Sequence, residues 1–120
     1  RDYKFFCFNG EPKIVLVCAD RFTDGGLREN FYDLNWNLLN LQRPKHPNTA
    51  YSISKPESLD TMLSLARTLS QNIPFVRVDF YDINGKIYFG EMTFFPASGF
   101  EGFVPEEWDY KLGEWIKLPN

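Results

Sequence analysis

At 120 residues the chain is at most one domain, large enough to bury roughly 65% of its unfolded surface. Its net charge is −3, and its 13 basic residues are scattered without a basic stripe or helix, so nucleic acid is excluded as a partner. The longest apolar run, Ile14 to Ala19, is far too short to span a membrane, and no signal peptide is expected ahead of Arg1.

The chain opens, without Met, directly on a strand-like run, and is read as a trimmed fragment. Residues 3–8 and 13–20 form an expected antiparallel hairpin around Asn9-Gly10-Glu11-Pro12. That turn sets Cys7 opposite residues 12 to 14, leaving Cys18 at least four residues away, or ~13 Å along a strand. A disulfide needs Cα atoms within ~7 Å, so both thiols are expected to be free. Free thiols point to a reducing, cytoplasmic setting, although two small core residues fit equally well. Residues 21–29 read as a loop with a tight turn at Asp24-Gly25-Gly26, and 30–37 as a short strand. Residues 42–54, with Pro44 and Pro47, read as irregular.

A helix is predicted over 56–71. Ser54 and Glu57 have capping-box spacing, and Pro56 suits a first turn. Leu59, Met62, Leu63, Ala66 and Leu69 form one apolar face, and Asn72 and Pro74 end it. Strands follow at 75–82 and 86–95. A second short helix is expected from Pro105 to Leu118. The order predicts an α+β fold: a mostly antiparallel sheet with helices on one face.

The second hairpin carries the chemistry. Each strand holds one interior acid, Asp79 and Glu91, and a carboxylate inside a strand is costly to bury without a partner or a metal. A two-residue turn at Asn84-Gly85 would pair Ile83 with Lys86 and send the two acids to opposite faces. A three-residue loop, Ile83-Asn84-Gly85, would pair Asp82 with Lys86 through a type I turn and a G1 bulge. Asp79 then faces Phe89 and Arg77 faces Glu91. Arg77, Asp79, Glu91 and Thr93 share one face; Val76, Val78, Phe80, Tyr88, Met92 and Phe94 share the other. Since a one-residue slip would mix the two sets, the bulged loop is the predicted register. Two carboxylates so placed can chelate Mg²⁺, with Arg77 beside them to stabilise developing negative charge. The plain alternative is an Arg77–Glu91 salt bridge on a solvated face.

Arg77-Val78-Asp79, the hairpin, then Phe89-Gly90-Glu91-Met92-Thr93 and Pro96-Ala97-Ser98-Gly99 resemble the C-terminal core of ATP-grasp enzymes. Residues 2–13, 31–36 and 105–116 extend the likeness to the branch tied to teichuronopeptide and capsular polysaccharide biosynthesis. The resemblance implies that Asp79 and Glu91 bind Mg²⁺ holding ATP phosphates, and that Arg77 is the catalytic cation. It places Thr93 where the superfamily usually has Asn, as a weaker metal ligand. Lys4 lies on a strand that passes the nucleotide and could touch phosphate, the plain alternative being an exposed strand lysine. Arg43 and Lys45, beside His46, sit in a loop that could reach phosphate or acceptor, the plain alternative being a solvated basic loop.

The resemblance also implies that the 120 residues are a single, incomplete C-terminal subdomain. Its missing N-terminal partner would carry the glycine-rich phosphate loop, so the fragment alone is expected to be inactive and to self-associate. The parent is expected to be a ligase-like or glycosyltransferase enzyme of surface polysaccharide assembly, using ATP, Mg²⁺ and a sugar or amino-acid acceptor. The rival reading is a non-catalytic carbohydrate-binding or interaction module. There, rings such as Tyr32, Trp36, Tyr81, Phe100, Phe103 and Trp108 would stack on sugars, unless they simply pack in the core.

Overall fold

The computed structural model describes residues 1–94 and 104–115. Two hairpins form one antiparallel sheet. The first joins β1 (Asp2–Phe8) to β2 (Glu11–Ala19), and the second joins β4 (Phe75–Ile83) to β5 (Lys86–Thr93). With β3 (Arg28–Tyr32) the strand order is β3-β2-β1-β4-β5, so β1 and β4 bring the two hairpins together. Helix α1 runs Leu59–Leu69 and α2 runs Glu107–Glu114. The last expected turn of the second helix, 116–118, and the rings Phe100 and Phe103 lie outside the described residues.

Strand alternation splits the core in two. Tyr3, Phe5, Val15, Val17, Val76, Val78 and Phe80 point to one face, where Leu59, Met62, Leu63 and Ala66 of α1 cover them. Phe6, Phe8, Ile14, Leu16, Phe31 and Phe75 point to the other, where Leu112 of α2 packs with Leu41. The two helices therefore lie on opposite faces, not on one. The physical reason is that β1 and β2 are apolar on both sides and each side needs a cover. Much of the Phe content is spent here: Phe6 meets Phe31 and Phe75 edge-on at 6.2 and 6.1 Å. Cys7 and Cys18 are buried and free, and burial pushes both thiols up to about 11.

Four local expectations are corrected. Strand β3 ends at Tyr32, because the Asp33 carboxylate accepts the backbone N–H groups of Asn35 and Asn37 and turns the chain. Helix α1 begins at Leu59, so Ser54 and Glu57 precede it and form no capping box. Ser58 takes the N-cap position, and its hydroxyl instead donates to the Asp82 carboxylate. The third correction is the second hairpin turn. Ile83 pairs with Lys86, and Asn84 and Gly85 have φ of 55° and 85°, a two-residue type I′ turn. This is the turn that an Asn-Gly pair favours.

The fourth concerns register. The extra residue sits inside β5 rather than in the turn. Phe80 pairs with Phe89 but Val78 pairs with Met92, so Gly90 and Glu91 together oppose Asp79. This bulge restores the expected faces beyond it, with Arg77 opposite Thr93 rather than Glu91. Before it the faces are exchanged. Phe89, not Tyr88, joins Phe80 (ring centroids 6.4 Å apart), and Tyr88 pairs with Tyr81.

Gly90 is what permits the bulge. A Cβ there would lie 2.9 Å from a Tyr81 ring carbon and 3.1 Å from the Asp79 carbonyl oxygen. Tyr81 is half-exposed and can swing aside, but the carbonyl cannot. Gly90→Ala is expected to cost about 1–3 kcal/mol in urea unfolding. Wild-type stability in this variant would contradict the bulge.

Candidate functional site

The sheet face that carries α2 is apolar at one end and charged at the other. Cross-strand register explains the division. One row reads Glu29, Cys18, Asp2, Tyr81 and Tyr88; the next reads Phe31, Leu16, Lys4 and Asp79, with the bulge beyond. Arg77 and Thr93 follow, beside Phe6.

Asp79 is the centre. It is 1% exposed, and both its oxygens are held by cations. Lys4 Nζ donates to Oδ2 at 2.8 Å. The Arg77 guanidinium grips the carboxylate in a fork, Nε to Oδ1 at 2.9 Å and Nη2 to Oδ2 at 3.0 Å. The same Nη2 reaches Thr93 Oγ1 at 3.2 Å and Glu91 Oε1 at 3.5 Å. One guanidinium nitrogen thus touches all three residues expected to ligate metal. Glu91 is the solvent-facing member, its side chain 67% exposed against 26% for Arg77.

Lys4 is not the exposed strand lysine that its position in the sequence suggests. It also pairs with Asp2 at 3.3 Å, and Arg21 approaches the same Asp2 oxygen at 3.2 Å. Burial pulls the Lys4 ammonium down, but the hydrogen bond and charge of Asp79, with the charge of Asp2, outweigh it and hold its pKa above the usual lysine value.

Arg43 and Lys45 are not among the groups that contact Asp79. Arg43 lies 3.5 Å from Glu29, while Lys45 is exposed on the turn closed by the His46 N–H and the Arg43 carbonyl. Asp2 and Glu29, both buried, are members of this face that sequence reasoning missed. Asp2 could have been found, since it stands two residues before Lys4 in an alternating strand. Glu29 was hidden by reading 21–29 as loop. Burial raises the Glu29 carboxyl, against the pull of Arg43, His46, Lys4 and Arg77.

Asp79, Glu91 and Thr93 offer hard oxygen donors on one face, the chemistry Mg²⁺ requires. Among the described residues no three acids, histidines or cysteines gather closely enough to cage an ion. An ion there would need further oxygens from phosphate or water, which is how Mg²⁺ is commonly held. Both Asp79 oxygens are taken by Lys4 and Arg77, so Asp79 would join such an ion only by giving up its Arg77 contact at Oδ1.

An antiparallel α+β sheet bearing an Arg-x-Asp strand beside an acid-bearing partner strand is the arrangement expected of an ATP-grasp core. The family comparison names it: a family model described as TupA-like ATPgrasp matches residues 1–117, and the chain belongs to that family. Neither a curated protein nor a solved structure gave a match. Among the described residues no helix is long and apolar enough to cross a membrane.

The geometry separates the two acids energetically. Asp79→Asn leaves half-buried Lys4 and Arg77 short of their counter-charge and removes the charge of a buried carboxylate, and is expected to cost about 3 kcal/mol. Glu91→Gln, at an exposed site, should cost under ~1 kcal/mol. Chemical unfolding of both variants measures the difference, and equal losses would contradict the assignment of Asp79 as the buried centre.

Proposed function

We propose that this chain is the metal- and nucleotide-binding half of an ATP-grasp enzyme of bacterial surface polysaccharide assembly. One observation carries the reading: Arg77 Nη2 is within 3.5 Å of Asp79, Thr93 and Glu91 together. A positive charge already stands where two carboxylates and a hydroxyl converge.

In this reading Asp79 and Glu91 would hold Mg²⁺, and Thr93 would supply a hydroxyl to it or to its water. The ion, when bound, would neutralise charge on the ATP phosphates. Arg77 exchanges its carboxylate partner for the charge that develops on the transferred phosphoryl group. Lys4 keeps its hydrogen bond to Asp79 Oδ2 and holds that carboxylate in place. Arg43 and Lys45 reach phosphate or acceptor from their loop. The reaction is attack of a carboxylate on the γ-phosphorus of ATP, releasing ADP and forming an acyl phosphate, followed by attack of an amine at the acyl carbon, releasing inorganic phosphate. If a sugar nucleotide is the donor instead, the same two acids hold its metal and the enzyme is a glycosyltransferase. The setting is cytoplasmic, where ATP and sugar nucleotides are made.

The nucleotide needs a second wall, contributed by an N-terminal subdomain that docks on the β5 side. Ile83, Phe89 and Phe94 stand 54–57% exposed there, on and beside the last strand of the sheet. Without that cover the 120 residues alone should be inactive and should self-associate through this edge. Sedimentation that shows only monomer at high concentration would contradict the exposed-edge argument.

Calorimetry on the full-length protein tests the enzyme reading. ATP should bind only with Mg²⁺, and Glu91→Gln, which leaves the fold intact, should weaken binding at least tenfold, ~1.4 kcal/mol. Asp79→Asn should abolish binding. ATP affinity indifferent to Mg²⁺ and to Glu91 would leave a non-catalytic module as the better reading.

A further inference from the structure

The α1 side of the sheet, opposite the Asp79 centre, carries an open cleft of about 630 Å³. This is within the usual range for small-molecule sites. Its walls come from the end of β3, the loop after it and the segment leading to α1. Asn30, Tyr32, Trp36, Asn37, Thr49 and Ser52 supply most of the lining, and no charged side chain lines it among the described residues.

The chain builds this cleft at a cost. Trp36 has φ +66°, the left-handed region, an outlier for so bulky a residue. Such strain persists where the surroundings over-determine it, and it clusters at ligand clamps. Here Asp33 does the holding. Its carboxylate accepts the backbone N–H groups of Asn35 and Asn37, both at 2.9 Å, and the Asn37 side-chain amide at 3.0 Å. The Trp36 N–H donates to the Asp33 carbonyl oxygen at 3.1 Å. The indole then lies flat on the Tyr32 ring, centroids 4.1 Å apart and planes 4° apart, and its Nε1–H donates to the Ile53 carbonyl oxygen at 2.8 Å. Opposite, the Asn30 side chain binds Thr49 at both ends, donating to its hydroxyl at 3.0 Å and accepting its N–H at 2.9 Å. Wall and platform are therefore both pre-set.

The lining selects its ligand by chemistry. A phosphate or carboxylate would find no counter-charge in it. A wholly apolar molecule would strand the exposed Asn37 side-chain amide and Ser52 hydroxyl. A neutral ring with an apolar face and a rim of hydroxyls satisfies both, since the Trp36 indole, backed by buried Tyr32, presents a flat apolar surface and exposed Asn37 and Ser52 supply polar groups. We propose that this cleft binds a neutral sugar unit, with Trp36 as the platform. It lies on the other face from the nucleotide centre and does not depend on that reading.

The test is an NMR titration of the full-length protein with glucose, galactose and N-acetylglucosamine, and with glucuronate and inorganic phosphate as charged probes. At least one neutral sugar should saturably shift the Trp36 indole N–H and the Asn30 and Asn37 side-chain amides. Binding should be lost in Trp36→Ala. Because Trp36 also packs on the core, Ser52→Arg, at an exposed position, is the second variant and should block the cleft at least tenfold with the fold intact. Glu91→Gln should leave sugar binding unchanged, which separates this site from the nucleotide centre. No shift at these signals with any neutral sugar, a stronger response to glucuronate or phosphate, or full binding in Ser52→Arg would overturn the proposal.

Discussion

A buried carboxylate held between two cations is the constraint on which the rest of this structure depends. Asp79 is almost wholly removed from water, and it is tolerable there only because Lys4 and Arg77 occupy both its oxygens. Lys4 belongs to β1 and Asp79 to β4, and the two are direct cross-strand partners. The ion cluster thus lies on the seam that joins the two hairpins, and a slip in that seam would bury charge against the apolar rows. Buried ion pairs add little net stability, because desolvation offsets most of the attraction. What the cluster supplies is specificity of register and a fixed array of charge.

The bulge at Gly90 is the second half of the device. Without it β5 would continue in the register set by the type I′ turn, and Glu91 and Thr93 would point towards α1. With it they join Arg77 on the α2 face. A conformationally permissive residue in mid-strand thus converts a simple hairpin into a convergent site. The apolar end of the same face is closed by α2 and Leu41; at the charged end Glu91 is the member that faces solvent.

Much of this was legible in the sequence, and what was not has physical causes. The acid-bearing strands, the apolar face of α1 and the shared orientation of Arg77, Asp79, Glu91 and Thr93 follow from periods of two and 3.6 residues. The orientation was reached through the wrong device. The polarity pattern demanded one extra residue, and the turn was made to supply it, although Asn84-Gly85 favours a two-residue turn and Gly90 in mid-strand signals a bulge. The Lys4–Asp79 contact could not be read locally, because it arises from pairing between segments 75 residues apart. Glu29 was lost with the early residues of β3, whose charged start resembles a loop. The capping box failed because spacing alone does not exclude a competing start at Ser58, whose hydroxyl has a better partner in Asp82. The separation of the helices follows from the two apolar faces of β1 and β2, a pattern visible in Phe5-Phe6-Cys7-Phe8.

The account stands on Asp79, Glu91 and Thr93 converging as one oxygen-donor set at the charged end of the sheet face that carries α2. Paramagnetic NMR on the full-length protein with ATP and Mn²⁺ in place of Mg²⁺ tests this most directly. Broadening is expected at the amides of Asp79, Glu91 and Thr93 and at the Arg77 guanidinium, while the signals of Tyr32 and Trp36 on the far face stay sharp. Broadening centred on Trp36, or none near Glu91, would contradict the account.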